Sequence, residues 1–248
     1  MYVDTFPKRN YQYLPNWVGT MIRSFKKLPF VIFPLLLLCS NDLSAQTPHS
    51  YFYENEFNVE IPSETEWSFE VGLGNRGMLQ ERMEGGRVSG YQHDHIEFNQ
   101  FTLYNTSENL TLALGLRYRL REMFDPEEKD EFRIIQQLEY ESSSSTINLE
   151  HRVRTEQRFR EATIYRLRYE LEGSYPLNNY LEIGAATEAL YAVTSSLKPE
   201  AEQRFSIRFI NSSLDKLGIE VAFQYRMENY AQNLENEYFV ITELNWEL

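Results

Sequence analysis

The chain has 248 residues, 42% hydrophobic and 25% charged, with a mean hydropathy of −0.52, which excludes a bundle of membrane helices. Seventeen Tyr, 16 Phe and three Trp exclude a disordered chain, and one Cys excludes a disulfide scaffold. A net charge of −13 argues against a nucleic-acid partner, whose phosphates would be repelled. The length suits one large all-β domain or at most two small ones.

Residues 1–45 read as a secretory signal region, with Met21 as an alternative start. Arg23, Lys26 and Lys27 form a positive segment, Leu28 to Cys39 an apolar run, and Ser44-Ala45 a small-residue cleavage point before Gln46. Pro34 and the shortness of the run argue against a spanning helix. A lipoprotein reading at Cys39 lacks the small residues such a site needs beside it. Residues 1–45 carry five of the 24 basic and two of the 37 acidic residues. The exported remainder therefore has 19 bases, 35 acids, a net charge of −16 and no cysteine over 203 residues. Residues 46–65 are expected to be a periplasmic tail.

From Trp67 onward the dominant period is two, the strand period. It predicts ten strands, at about 66–75, 95–104, 110–121, 131–141, 146–159, 162–172, 179–191, 203–211, 216–227 and 237–248. In 110–121, Leu110, Leu112, Leu114, Leu116, Tyr118 and Leu120 share one face. Thr111, Ala113, Gly115, Arg117, Arg119 and Arg121 share the other. Residues 217–228 and 181–191 repeat the pattern, and Tyr238, Val240, Thr242, Leu244, Trp246 and Leu248 share a face near the end. Residues 95–104 alternate least cleanly.

Four features orient these strands with the apolar face outward. Several are 10 to 13 residues long, beyond the usual soluble strand. The polar face holds Ala113, Gly115, Gly184, Ala186, Gly218 and Ala222, small residues that suit a crowded interior. The exported part has 16 Arg but only three Lys (Lys129, Lys198 and Lys216), as enclosed, carboxylate-held cations would require. Aromatic residues gather at strand ends on the apolar face, where interfacial girdles sit. The expected fold is an all-β, antiparallel up-and-down transmembrane β-barrel of about 10 strands over residues 66–248. An even count puts both termini on the periplasmic side, with short turns there and longer loops outside; the short connection at Arg160-Glu161 breaks this rule. A barrel of this size encloses room for side chains rather than a wide channel.

The stretch His151-Arg152-Val153-Arg154-Thr155-Glu156-Gln157-Arg158-Phe159-Arg160, followed by Tyr165-Arg166-Leu167-Arg168-Tyr169, resembles the central signature of a family. That family comprises small exported barrel proteins of unknown function, found largely in Bacteroidetes. Its pattern is an H/R-x-R-x-E-x-R-F stretch and then R-x-R-Y, behind a signal ending near Ser-Ala-Gln. The resemblance implies an outer-membrane β-barrel without an assigned activity, with membrane lipid and the barrel-assembly machinery as partners. The chain departs from the usual aromatic last residue of such barrels, stopping at Trp246-Glu247-Leu248.

On the residues themselves, Arg117, Arg119, Arg152, Arg154, Glu156, Arg158, Arg166, Arg168 and Glu170 fall on polar strand faces as one charge cluster in the lumen. Two uses are open, a salt-bridge network that sets register and fills the pore, or an anion site; the structural one is favoured. His93-Asp94-His95 is the sharpest trio for metal or general-base chemistry. Neither pattern is specific, and no GxSxG, HExxH or phosphate-cradling glycine loop occurs. The expectation is a protein that is not an enzyme, with no catalytic, metal or cofactor site, no cofactor and no small-molecule ligand. Two alternatives stand beside it. One is an outer-membrane hydrolase using the His93–His95 trio. The other is a soluble periplasmic barrel with Leu112, Leu114, Ile219 and Val221 lining an apolar pocket.

Overall fold

A computed structural model describes residues 48–83, 86–143, 147–195 and 198–248. The signal region expected over 1–45 lies outside the described residues. Twelve strands form: β1 (His49–Pro62), β2 (Trp67–Met83), β3 (Gly86–Ser89), β4 (Gln92–Ser107), β5 (Leu110–Leu120) and β6 (Glu131–Ser143). They continue as β7 (Asn148–Phe159), β8 (Thr163–Pro176), β9 (Leu181–Thr194), β10 (Glu200–Leu214), β11 (Leu217–Glu228) and β12 (Glu235–Glu247). Neighbours pair antiparallel in chain order, and β1 pairs with both β2 and β12, so the sheet closes on itself. The result is a barrel of 11 strands, with β3 paired to the end of β2 outside the ring.

All ten expected strands are present. Three expectations need correction. The stretch 46–65 is not a tail, because 49–62 is a wall strand. Its Tyr51, Tyr53, Phe57, Val59 and Ile61 alternate with Phe52, Glu54, Glu56 and Asn58 in the strand period. The ring has 11 strands rather than about 10, and it is not antiparallel throughout: β1 and β12 run parallel, His49 beside Asn236 and Glu60 beside Glu247. Consequently β1 begins at one rim and β12 ends at the other. Even parity follows only from antiparallel closure, and the parallel seam admits an odd count.

The described residues put apolar side chains outside and charge inside. Leu114 is 53% exposed, Leu167 52%, Phe223 55% and Tyr191 50%, whereas Arg133, Glu131, Glu156 and Glu97 are almost fully buried. This rules out the inward apolar pocket: Leu112 and Leu114 are exposed, and Ile219 and Val221 lie on the face of β11 that also carries exposed Phe223. The 11 residues of β5, at about 3.3 Å each and a tilt of roughly 40°, rise about 28 Å. That matches the roughly 30 Å of a hydrocarbon layer. Several polar groups on the outer face pair with one another across strands. Asn55 donates to Asn75 (3.0 Å), Gln203 to Thr187 (2.7 Å) and Thr155 to Gln136 (2.6 Å), so these groups do not depend on solvent for a partner.

Inside, one apolar plug interrupts the charge. Phe101, Ala113 and Ile135 are buried together, with Leu103 packed against them. Gly115 lies under the Phe101 ring: a Cβ there would be 2.6 and 2.8 Å from ring carbons Cδ1 and Cζ, closer than real contacts allow. A second aromatic stack, Phe52 on Phe239 (4.8 Å between centroids), carries the Arg226 guanidinium 3.6 Å above the Phe239 ring.

Candidate functional site

The strand period turns every second residue of β5, β7 and β8 inward, and the nine charged residues singled out in the sequence come from these three strands. The structure places all nine on the lumen side, though not as one contact cluster. Glu97 on β4 holds Arg119 through Nε (2.6 Å) and Arg117 through Nη1 (3.1 Å). Glu131 on β6 holds Arg158 (2.6 Å) and bonds to Arg133. Glu170 binds Arg152 and, at 2.9 Å, Arg208 of β10.

Six further contacts close a ring across β7 to β10. Glu156 meets Arg168 (2.9 Å), Arg168 meets Glu188 (2.7 Å), and Glu188 meets Arg204 (3.3 Å). Arg204 meets Glu202 (2.5 Å), Glu202 meets Arg166 (3.4 Å), and Arg166 returns to Glu156 (3.9 Å). Three guanidiniums alternate with three carboxylates, so each buried charge has two opposite neighbours. Glu156 has a third, Arg133 at 3.4 Å. Desolvation of any one of these ions costs several kcal/mol, and only such saturation offsets it. Arg154 stands apart: its Nε donates to Gln137 (2.5 Å), and among the described residues it has no carboxylate at ion-pair distance.

The sequence-based cluster omits Glu97, Glu131, Arg133, Glu188, Glu202, Arg204 and Arg208, without which the network does not close. Their signal was the same alternation on the polar faces of β4, β6, β9 and β10. A cavity of about 690 Å³ remains inside. Arg117, Arg133, Arg154, Arg166 and Arg168 border it together with Glu56, Glu139 and Glu202, while Glu97, Glu131, Glu156 and Glu188 do not.

The His93–His95 trio sits where β4 begins. His95 is buried, with Nδ1 2.9 Å from Asp94 Oδ2 and Nε2 3.5 Å from Glu97 Oε2. The His93 ring stacks on Phe124 at 4.0 Å. Among the described residues no group of three or more His, Cys, Asp or Glu side chains is placed to hold a metal ion. Beyond β5, Asp130 ties down the 121–130 connection, accepting from the backbone N–H groups of Arg121 (2.9 Å) and Glu122 (3.1 Å) and from the Tyr118 hydroxyl (2.9 Å). The Arg121 backbone N–H, foremost, holds its carboxyl below the usual aspartate range.

The chain is similar to three solved structures. OmpT, an outer membrane protein of Vibrio cholerae, shares 6% identity over 68% of this chain and 77% of its own, with a TM-score of 0.38. The anion-selective porin from Comamonas acidovorans shares 12% over 74% of this chain, with a TM-score of 0.35; the chain spans about half, 54%, of that porin. The NanC porin shares 9% over 75% of this chain and 95% of its own, with a TM-score of 0.41. No curated protein matches by sequence. Residues 49–238 match the family described as Protein of unknown function (DUF2490), and the chain belongs to that family.

Proposed function

We propose that the protein is an exported outer-membrane β-barrel without enzymatic activity, whose lumen is braced by an Arg/Glu network and whose role is structural or to present its loops outside. The observation that carries this reading is the inside-out distribution of side chains, with an exposed apolar belt about one hydrocarbon layer tall around a charged interior. Water gives no reason to expose Leu112, Leu114, Leu116, Leu138, Leu167 and Phe223, whereas lipid does. On this reading the barrel's partners are lipid and the barrel-assembly machinery. The engagement of His95 with Asp94 and Glu97 favours a structural use of the trio over the hydrolase alternative. Fractionation of expressing cells, with gel migration before and after heating in detergent, tests the proposal. Recovery in the outer membrane with heat-modifiable migration is expected; recovery as a soluble periplasmic protein would overturn it.

A further inference from the structure

The lumen network leaves its cations unevenly compensated. Arg117 faces Arg133 directly in the β5–β6 register, Arg133 faces Arg158 across β6–β7, and Arg154 faces Arg168 across β7–β8. Like charges directly opposite repel. The carboxylates that offset this repulsion, Glu97, Glu131, Glu156 and Glu188, lie against the wall and do not border the 690 Å³ cavity. Where Arg117, Arg133, Arg154 and Arg168 line it, the cavity therefore meets guanidinium, with Glu139 and Glu202 as the carboxylates that border it on the same strands or the next. Several of their hydrogen-bond donors are also unused. Arg133 is 2% exposed and its Nη2 has no partner among the described residues, and the same holds for Nε of Arg117 and Nε of Arg166. Arg154 adds a full cation held only by a neutral amide, Gln137, with its guanidinium 6.0 Å from the Phe101 ring.

The two signs of charge differ in how they can escape an enclosed position. A carboxylate such as Glu56 or Glu243, both on the cavity wall, can take up a proton and become neutral. A guanidinium does not lose its proton, so its charge must be met by a counter-charge. An unpaired buried donor costs about 1–3 kcal/mol on top of that. The species that answers both demands is an oxyanion, whose oxygens accept several guanidinium hydrogen bonds at once. We infer that the lumen cavity is a binding site for a small, multiply charged oxyanion, phosphate or polycarboxylate, held by Arg154 with Arg117, Arg133 and Arg166. The inference goes beyond the structural role proposed above and rests on the barrel interior, not on its location in a membrane.

The test is calorimetric titration of the purified, detergent-solubilised protein with inorganic phosphate and, separately, with citrate. Saturable binding of at least one anion is expected. Arg154→Gln weakens it at least tenfold, and Lys129→Gln, in the 121–130 connection, leaves it unchanged. Arg117→Gln serves as a second lumen variant should Arg154→Gln fail to fold, which heat-modifiable migration reports. A folded wild-type protein that binds neither anion at millimolar concentration overturns the inference, as does binding to both lumen variants with wild-type affinity. Loss of heat-modifiable migration in the wild-type protein would count against the membrane barrel instead, so the two failures are separable.

Discussion

Gly115→Ala puts a methyl group where the structure has no space for one. The new Cβ would lie 2.6 and 2.8 Å from Cδ1 and Cζ of Phe101, against about 3.5–4.0 Å for unstrained carbon contacts. The ring borders the lumen cavity on one side, but it is 7% exposed and packed with Ala113, Ile135 and Leu103, so moving it aside gives up those contacts. Overpacking of this kind costs about 1–3 kcal/mol. The loss of glycine's freedom in the unfolded chain returns about 0.4–1 kcal/mol. The net effect is a destabilisation of roughly 1–2 kcal/mol. Gly218→Ala is the matched control on the same inward face. Its Cβ would stand 3.8 Å from Asn245 Cβ and O, an ordinary contact, so it should be neutral or slightly stabilising. The assay is the urea midpoint of the protein refolded in detergent, with the slope checked for constancy. Phe101→Leu in the Gly115→Ala background should restore part of the loss, seen as a coupling energy in a double-mutant cycle. Equal midpoints for wild type, Gly115→Ala and Gly218→Ala would refute the argument that lumen glycines are there for close approach.

Other consequences follow from the charge network and the outer belt. Glu156→Gln removes the carboxylate shared by Arg133, Arg166 and Arg168, and should destabilise by about 3–5 kcal/mol in the same urea assay. Lys129→Gln breaks only an exposed 3.7 Å contact to Glu122 and should cost less than about 1 kcal/mol. Leu114→Arg should cost about 2–4 kcal/mol in lipid bilayers, measured by reversible unfolding from vesicles; no penalty would count against a lipid-facing position. Asp130, whose carboxyl is held below the usual aspartate range, steadies the 121–130 connection fully above its unfolded value. The benefit disappears as pH falls through the lower folded value. Proteolysis within 121–130 should thus be faster in Asp130→Asn than in wild type at neutral pH, and the two should converge in strong acid.

Ten strands and their inward faces were legible because a single chemical contrast, Leu against Arg in β5 or Tyr and Leu against Arg in β8, repeats at period two. Strand β1 carried the same alternation, yet Asn55 on its outer face and Phe52 on its inner face blurred the contrast. Closure was not legible at all. Whether β1 meets β12 parallel or antiparallel depends on pairing between segments nearly 190 residues apart, and local periodicity holds no record of it. The lumen cluster was visible strand by strand, but its connectivity was not. The ring through Glu156, Arg168, Glu188, Arg204, Glu202 and Arg166 depends on which inward residues reach across the cavity wall, which follows from strand tilt and stagger. The cavity bordered by guanidiniums is likewise a property of which partner lies behind which.

The inside-out orientation of the strands is directly testable in this sequence. With no cysteine after Cys39, single cysteines carry a spin label without background. Labels at 112, 114 and 116 on β5 should be reached by oxygen dissolved in lipid and shielded from a water-soluble nickel chelate, and labels at 111 and 113 should lose the oxygen signal. The contradictory result is labels at 112, 114 and 116 that respond to the water-soluble quencher as freely as one placed at Lys129.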